Sequence, residues 1–173
     1  MARAWKRSLV WWLTCGVAYW KGNMVCMHLL LVEDNPADIT LVREAVKPLI
    51  EQGTLRVSIV HDGAAACAFL RRHEPYATAA APDLVILDLN LPVKSGYEVL
   101  AELKQDVELR YIPVVVLTTT QFPEDIDRCY EMGASAYLVK PMELEQFLSL
   151  VKITVAFWSA CKFRKLAEIE HDT

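Results

Sequence analysis

Four places in the 173-residue chain set a charged or hydroxyl side chain directly after, or at the end of, a short apolar run. Glu33-Asp34 follows Met27–Val32, Asp88 follows Leu84–Leu87, Thr118 follows Pro113–Leu117, and Lys140 follows Ala136–Val139. Singly, each has an ordinary structural reading: Asp34 or Asn35 ahead of Pro36 caps a helix, and Asp88 opens the turn through Leu89–Ser95. Brought to one place, they describe a site. Three carboxylates at one edge repel and raise one another's pKa unless a cation neutralises them. All-oxygen ligation selects a hard divalent ion such as Mg²⁺, which keeps several waters and favours a phosphate to share. Lys140 adds a positive charge and Thr118 a hydroxyl donor, so the matching ligand is an oxygen-rich anion, of which the phosphoryl group is the natural candidate. Glu33-Asp34-Asn35-Pro36 contains neither G-x-G-x-x-G nor a Walker A pattern, which argues against a nucleotide. A carboxylate can instead act as nucleophile and carry the phosphoryl group as an aspartyl phosphate. Asp88 is best placed for that role.

The elements that must position these groups alternate between β-branched runs and amphipathic stretches. Strands are predicted at Met27–Val32, Leu55–Val60, Leu84–Leu87, Pro113–Leu117 and Ala136–Val139. Helices are predicted at Pro36–Leu49, Gly63–His73, Gly96–Lys104 and Glu124–Met132, with a last, long one opening at Glu143. With right-handed crossovers, five βα units give an α/β fold: a doubly wound, five-stranded parallel sheet flanked by five helices. Such folds bind ligands outside the carboxyl ends of the strands, where all four candidate groups fall.

Composition divides the chain in two. Residues 1–27 carry Arg3, Lys6, Arg7 and Lys21 with no acid, and four of the five tryptophans lie in the first twenty residues. The whole chain is −4, so the rest is −8, which argues against direct binding to nucleic-acid phosphates. Arg3–Trp20 has the outline of a secretion signal, but its apolar stretch is shorter than the roughly 20 residues a spanning helix needs. A membrane-surface anchor, and an upstream extension of a chain whose natural start is Met24 or Met27, are the other two readings; the last is preferred. The expected organisation is an N-terminal extension over 1–26, one domain over 27–160, and a solvated tail over 161–173. Five scattered cysteines (Cys15, Cys26, Cys67, Cys129, Cys161) and four scattered histidines indicate neither a zinc site nor a disulfide framework.

The segments LLLVEDNPAD (29–38), LVILDLNLPVKSGYEVL (84–100), VVVLTTT (114–120) and AYLVKP (136–141) resemble the receiver domains of two-component response regulators over about residues 27–155. The resemblance implies the flavodoxin-like strand order 2-1-3-4-5, and Asp88 as phosphoacceptor. It implies Mg²⁺ held by Asp34, Asp88 and the main-chain carbonyl of Asn90, with Glu33 acting mainly through water. Lys140 would pair with the phosphoryl oxygens, and the Lys140-Pro141 peptide is expected to be cis. Thr118 would be the switch hydroxyl and Tyr137 the aromatic switch, whose ring turns inward. Thr119 stands where many receivers have a small residue, which bears on phosphoryl lifetime. The LDLNLP and LTTT segments, with Phe157-Trp158, look most like the small regulators that partner bacterial phytochromes. That implies a sensor histidine kinase of phytochrome type as phosphodonor, an unknown downstream protein, and a cytoplasmic location.

The last helix carries one apolar stripe suited to a core: Leu144, Phe147, Leu148, Val151, Val155 and Trp158. A second set, Leu150, Ile153, Phe157 and Cys161, lies on another side, and a helix apolar on two faces needs a second partner. A homodimer through Leu150, Ile153 and Phe157 is expected. No further output domain is expected beyond this helix. Two competing classes are an aspartyl-phosphate phosphohydrolase of the haloacid dehalogenase type and an interaction module independent of phosphorylation. The first needs an acid two residues after its nucleophile, where this chain has Asn90. The second leaves the full set of site residues without a purpose. The chain would be no enzyme in the ordinary sense, catalysing only its own phosphorylation and dephosphorylation.

Overall fold

The computed structural model describes residues 26–161, together with the backbone of a short antiparallel pair, Tyr19–Trp20 with Asn23–Met24. The rest of the basic leader and the 162–173 tail lie outside the described residues. Five strands form the sheet: β1 (Met27–Val32), β2 (Leu55–Val60), β3 (Leu84–Leu87), β4 (Val114–Thr118) and β5 (Ala136–Val139). All pair in parallel, in the order 2-1-3-4-5. Five α-helices connect and flank them: α1 (Pro36–Glu51), α2 (Gly63–Leu70), α3 (Gly96–Gln105), α4 (Pro123–Glu131) and α5 (Leu144–Ala160). This is the doubly wound fold that the alternation implied.

Because successive strand residues point to opposite faces, the sheet buries two cores. Leu30, Val32, Val85, Leu87, Val114 and Val116 face α2, α3 and the single buried residue of α4, Cys129. Leu29, Leu31, Leu84, Ile86, Val115 and Leu117 face α1 and α5. Covering on both sides explains why the central strands read as unbroken apolar runs.

Helix starts follow the local chemistry. Asn35 accepts from the Ala37 amide ahead of Pro36, Asp62 accepts from Ala65, and Ser95 with Glu98 forms a reciprocal capping box. α2 ends three residues short of the expected His73 because Arg72 takes a left-handed backbone, φ 55°. There the His73 amide turns back to the Ala68 carbonyl, a helix-ending arrangement. The stripe expected for α5 is buried at Phe147, Val151 and Val155, but Leu144 is exposed. Leu144 is the first residue of the helix.

Candidate functional site

The sheet's register brings the candidate residues together. The Asp88 amide donates to the Val32 carbonyl at 3.0 Å, setting the residues after β1 and β3 side by side. The Lys140 amide donates to the Thr118 carbonyl at 2.7 Å, doing the same for β4 and β5. Glu33, Asp88, Thr118 and Lys140 are all buried at this edge, whereas Asp34 and Asn90 are exposed at its mouth. Burying four such groups is costly unless each is paired.

Lys140 supplies most of the pairing. Its Nζ lies 2.6 Å from Asp88 Oδ2, 2.7 Å from Glu33 Oε2 and 2.8 Å from Asp38 Oδ2. Burial opposes the ammonium charge, but the carboxylates of Asp38, Asp88 and Glu33 together outweigh it and hold the Lys140 pKa well above the ordinary lysine value. For Glu33, burial wins over the pull of Lys140 and pushes its carboxyl up. The Asn35 amide donates to Glu33 Oε1 at 3.2 Å, and the Asn90 amide donates to Asp88 Oδ1 at 3.1 Å. Asp38 is the member that the sequence did not single out. It sits in the first turn of α1, where an acid reads simply as a match to the helix dipole.

Among the described residues, no three His, Cys, Asp or Glu side chains are spaced as a preformed metal site. The carboxylates converge on the ammonium instead. The donor set still fits a hard divalent cation, because the Glu33, Asp34 and Asp88 carboxylates and the Asn90 carbonyl are all oxygens.

The expected switch residues sit behind this cluster. Thr118 Oγ1 accepts from Asn90 Nδ2 at 3.4 Å. Tyr137 is half-buried against the α2–α3 core, and its hydroxyl donates to the Thr120 carbonyl at 3.0 Å. Burial, with Cys129 and nearby carboxylates, pushes its phenol up to about 12. Thr119 is exposed at the mouth.

One expectation is corrected. The cis peptide among the described residues is Glu74-Pro75, so Lys140-Pro141 is trans. Trans is the lower-energy isomer before proline by about 0.5–1 kcal/mol, and from it Lys140 already reaches all three carboxylates.

Residues 29–152 match the response regulator receiver domain. The chain belongs to that family. Response regulator Rcp1 of Synechocystis sp. is 44% identical over 130 residues, covering 75% of this chain and 87% of Rcp1. The crystal structure of its Mn²⁺-bound form superposes with a TM-score of 0.74 at 40% identity, covering 80% of this chain and 99% of that one. The phosphorylated cyanobacterial phytochrome response regulator RcpA superposes with a TM-score of 0.76 at 42% identity, over 80% and 99% of the two chains. This receiver is thus a response regulator close to the phytochrome group, as its motifs implied. Membership also removes the phosphohydrolase reading. No helix among the described residues is long and apolar enough to cross a membrane.

Proposed function

We propose that Asp88 of this receiver accepts a phosphoryl group from a phosphohistidine on a sensor kinase of phytochrome type. The observation that carries this reading is the convergence of Asp88, Glu33 and Asp38 on the Lys140 ammonium at 2.6–2.8 Å, at the carboxyl edge of the sheet. In the transfer, an Asp88 carboxylate oxygen attacks phosphorus, the N–P bond breaks, and the electron pair stays on the departing imidazole. Asp88 loses its negative carboxylate to the new acyl phosphate linkage, and Lys140 turns to the phosphoryl oxygens, where a fixed cation stabilises the developing charge. Glu33, Asp34, Asp88 and the Asn90 carbonyl would hold Mg²⁺, which when bound neutralises the transferring group. Thr118 donates its hydroxyl to the same oxygens, and the Thr120 carbonyl held by Tyr137 shifts with it. The protein promotes only its own modification and hydrolysis. The likeness to phytochrome response regulators supports a phytochrome-type kinase as donor, and the need for phosphohistidine donors and Mg²⁺ supports a cytoplasmic location.

We also propose that Ile153 and Phe157 on α5 pair with a second copy. Their side chains stand 68% and 61% exposed, one helical turn apart. Leu150, expected on the same face, is half-buried and packs into the α1–α5 core, so it supports the surface from beneath. The downstream protein would read the face formed by α4, β5 and α5.

Incubation with Mg²⁺ and acetyl phosphate, followed by intact mass measurement, tests the first reading. Uptake of one phosphoryl group, lost in Asp88→Asn, supports it. No uptake, or uptake retained in the variant, overturns it.

A further inference from the structure

α4 is the least anchored of the five helices. It buries one residue, Cys129, where each of the others buries four. Its N-terminal cap, Phe122, makes no side-chain capping bond, and Phe122 is 68% exposed. Elements with few buried contacts open most readily, so polar tethers weigh heavily in placing this one.

Two tethers stand out. Tyr97, in the first turn of α3, donates its hydroxyl to Asp125 Oδ1 at 2.6 Å. The Arg128 guanidinium, one turn further along α4, lies 4.2 Å from the centre of the Tyr97 ring. One side chain therefore holds α4 twice, by a charge-assisted hydrogen bond and by a cation–π contact. Burial, with the Asp125 carboxylate, holds the Tyr97 phenol well above its ordinary value, so it stays a donor. Tyr97 is itself fixed, because it follows Gly96, which packs directly under the Asp88 main chain. The clasp thus connects the phosphoacceptor's backbone support to the helix that follows Thr118. Lys140 is here engaged by the Asp88 carboxylate itself, the arrangement that precedes transfer.

We propose that Tyr97 is a positioning residue of the switch: through Asp125 and Arg128 it holds α4 in the arrangement preceding transfer and so restrains phosphoryl binding at Asp88. This rests on the function proposed above. A contact present in one of two states, when removed, shifts the equilibrium toward the other and raises affinity for whatever prefers it. The phosphoryl mimic beryllofluoride, with Mg²⁺, is the probe.

The test measures beryllofluoride affinity and amide exchange over residues 119–131 in the wild type, Tyr97→Phe, Asp125→Ala and the double variant. Tyr97→Phe keeps the ring under Arg128 and removes only the hydroxyl. We expect threefold to tenfold tighter beryllofluoride binding and faster exchange in Tyr97→Phe, with no further tightening in the double variant over Asp125→Ala, because both substitutions break one bond. Unchanged or weaker binding in Tyr97→Phe overturns the proposal, even with faster exchange, since a merely structural clasp would loosen the helix alone. Additive effects in the double variant overturn it too. A wild type that does not bind beryllofluoride defeats the phosphoacceptor reading itself, which separates the two failures.

Discussion

Lys140 Nζ stands 2.6 Å from Asp88 Oδ2, so the charge of the proposed nucleophile is neutralised by a fixed ammonium. The same ammonium holds Glu33 and Asp38, which makes it the keystone of a buried cluster with one cation and three acids. Removing one partner from a buried ion pair is far more costly than the net worth of the pair. Lys140→Ala is expected to lower stability by about 3–5 kcal/mol, and millimolar Mg²⁺ to return part of that loss by replacing the missing charge. Urea unfolding with and without Mg²⁺ measures both. A variant as stable as the wild type without Mg²⁺ would contradict the arrangement.

Asp38 is a partner of Lys140 but is partly exposed and further from the nucleophile along the chain. Asp38→Asn is expected to leave phosphorylation by acetyl phosphate within about tenfold of wild type, whereas Asp88→Asn abolishes it; general stabilisation of this kind is worth more at the reacting group than beside it. Rates of uptake read by mass distinguish the two.

Gly96 has no room for a side chain. A Cβ there would collide with the Asp88 carbonyl oxygen and lie 2.7 Å from Leu89 Cα, both of them main-chain atoms that cannot swing aside. Gly96→Ala is expected to cost about 3 kcal/mol and to slow phosphoryl uptake by displacing Asp88. The thermal midpoint and the uptake rate should fall together.

His28, on β1, is buried, with Nε2 2.9 Å from Ser58 Oγ and Nδ1 facing both the Ala81 carbonyl at 3.2 Å and the Arg56 guanidinium at 3.0 Å. Burial is the main cause that holds its pKa below 6.5; the Ala81 carbonyl opposes it and the Arg56 charge adds to it. The unfolded chain therefore takes up this proton first as pH falls. The contribution of His28 to stability is complete above about pH 6.5 and is lost as pH drops from there toward the folded-state value. Urea midpoints at pH 7.5 and 5.5 should differ more for the wild type than for His28→Asn.

Ile153→Glu with Phe157→Glu places two carboxylates on the exposed turn of α5. Sedimentation should show the wild type as a dimer and the double variant as a monomer with an unchanged thermal midpoint. A wild-type monomer at high concentration would dismiss the pairing.

The central strands β1 and β3 were legible because burial on both faces leaves near-continuous apolar runs, and the edge strands β2, where Arg56 and Ser58 alternate with apolar residues, and β5 were legible at their bounds as well. Helix ends were less so. α2 stops where Arg72 turns left-handed, a backbone event that no side-chain pattern announces. The candidate residues were legible as strand-end polar groups, and the parallel fold is what gathers them. Asp38 was not, because its role depends on which way the first turn of α1 faces. The Tyr97–Asp125 bond was equally hidden: the two residues are 28 positions apart, and only the packing of α3 beside α4 brings them together.

β5 borders both cores. Tyr137 packs on the α2–α3 side, while its neighbours Ala136 and Leu138 pack on the α1–α5 side. Leu138 meets Leu150, Val151 and Thr154 of α5 across a small apolar gap. Successive residues of a strand share one backbone and point to opposite faces. The ring that faces one core and the leucine that lies under the helix carrying Ile153 and Phe157 are therefore joined by a single peptide bond. That makes β5 the strand whose partly buried side chains link the Thr120 carbonyl to the α5 surface.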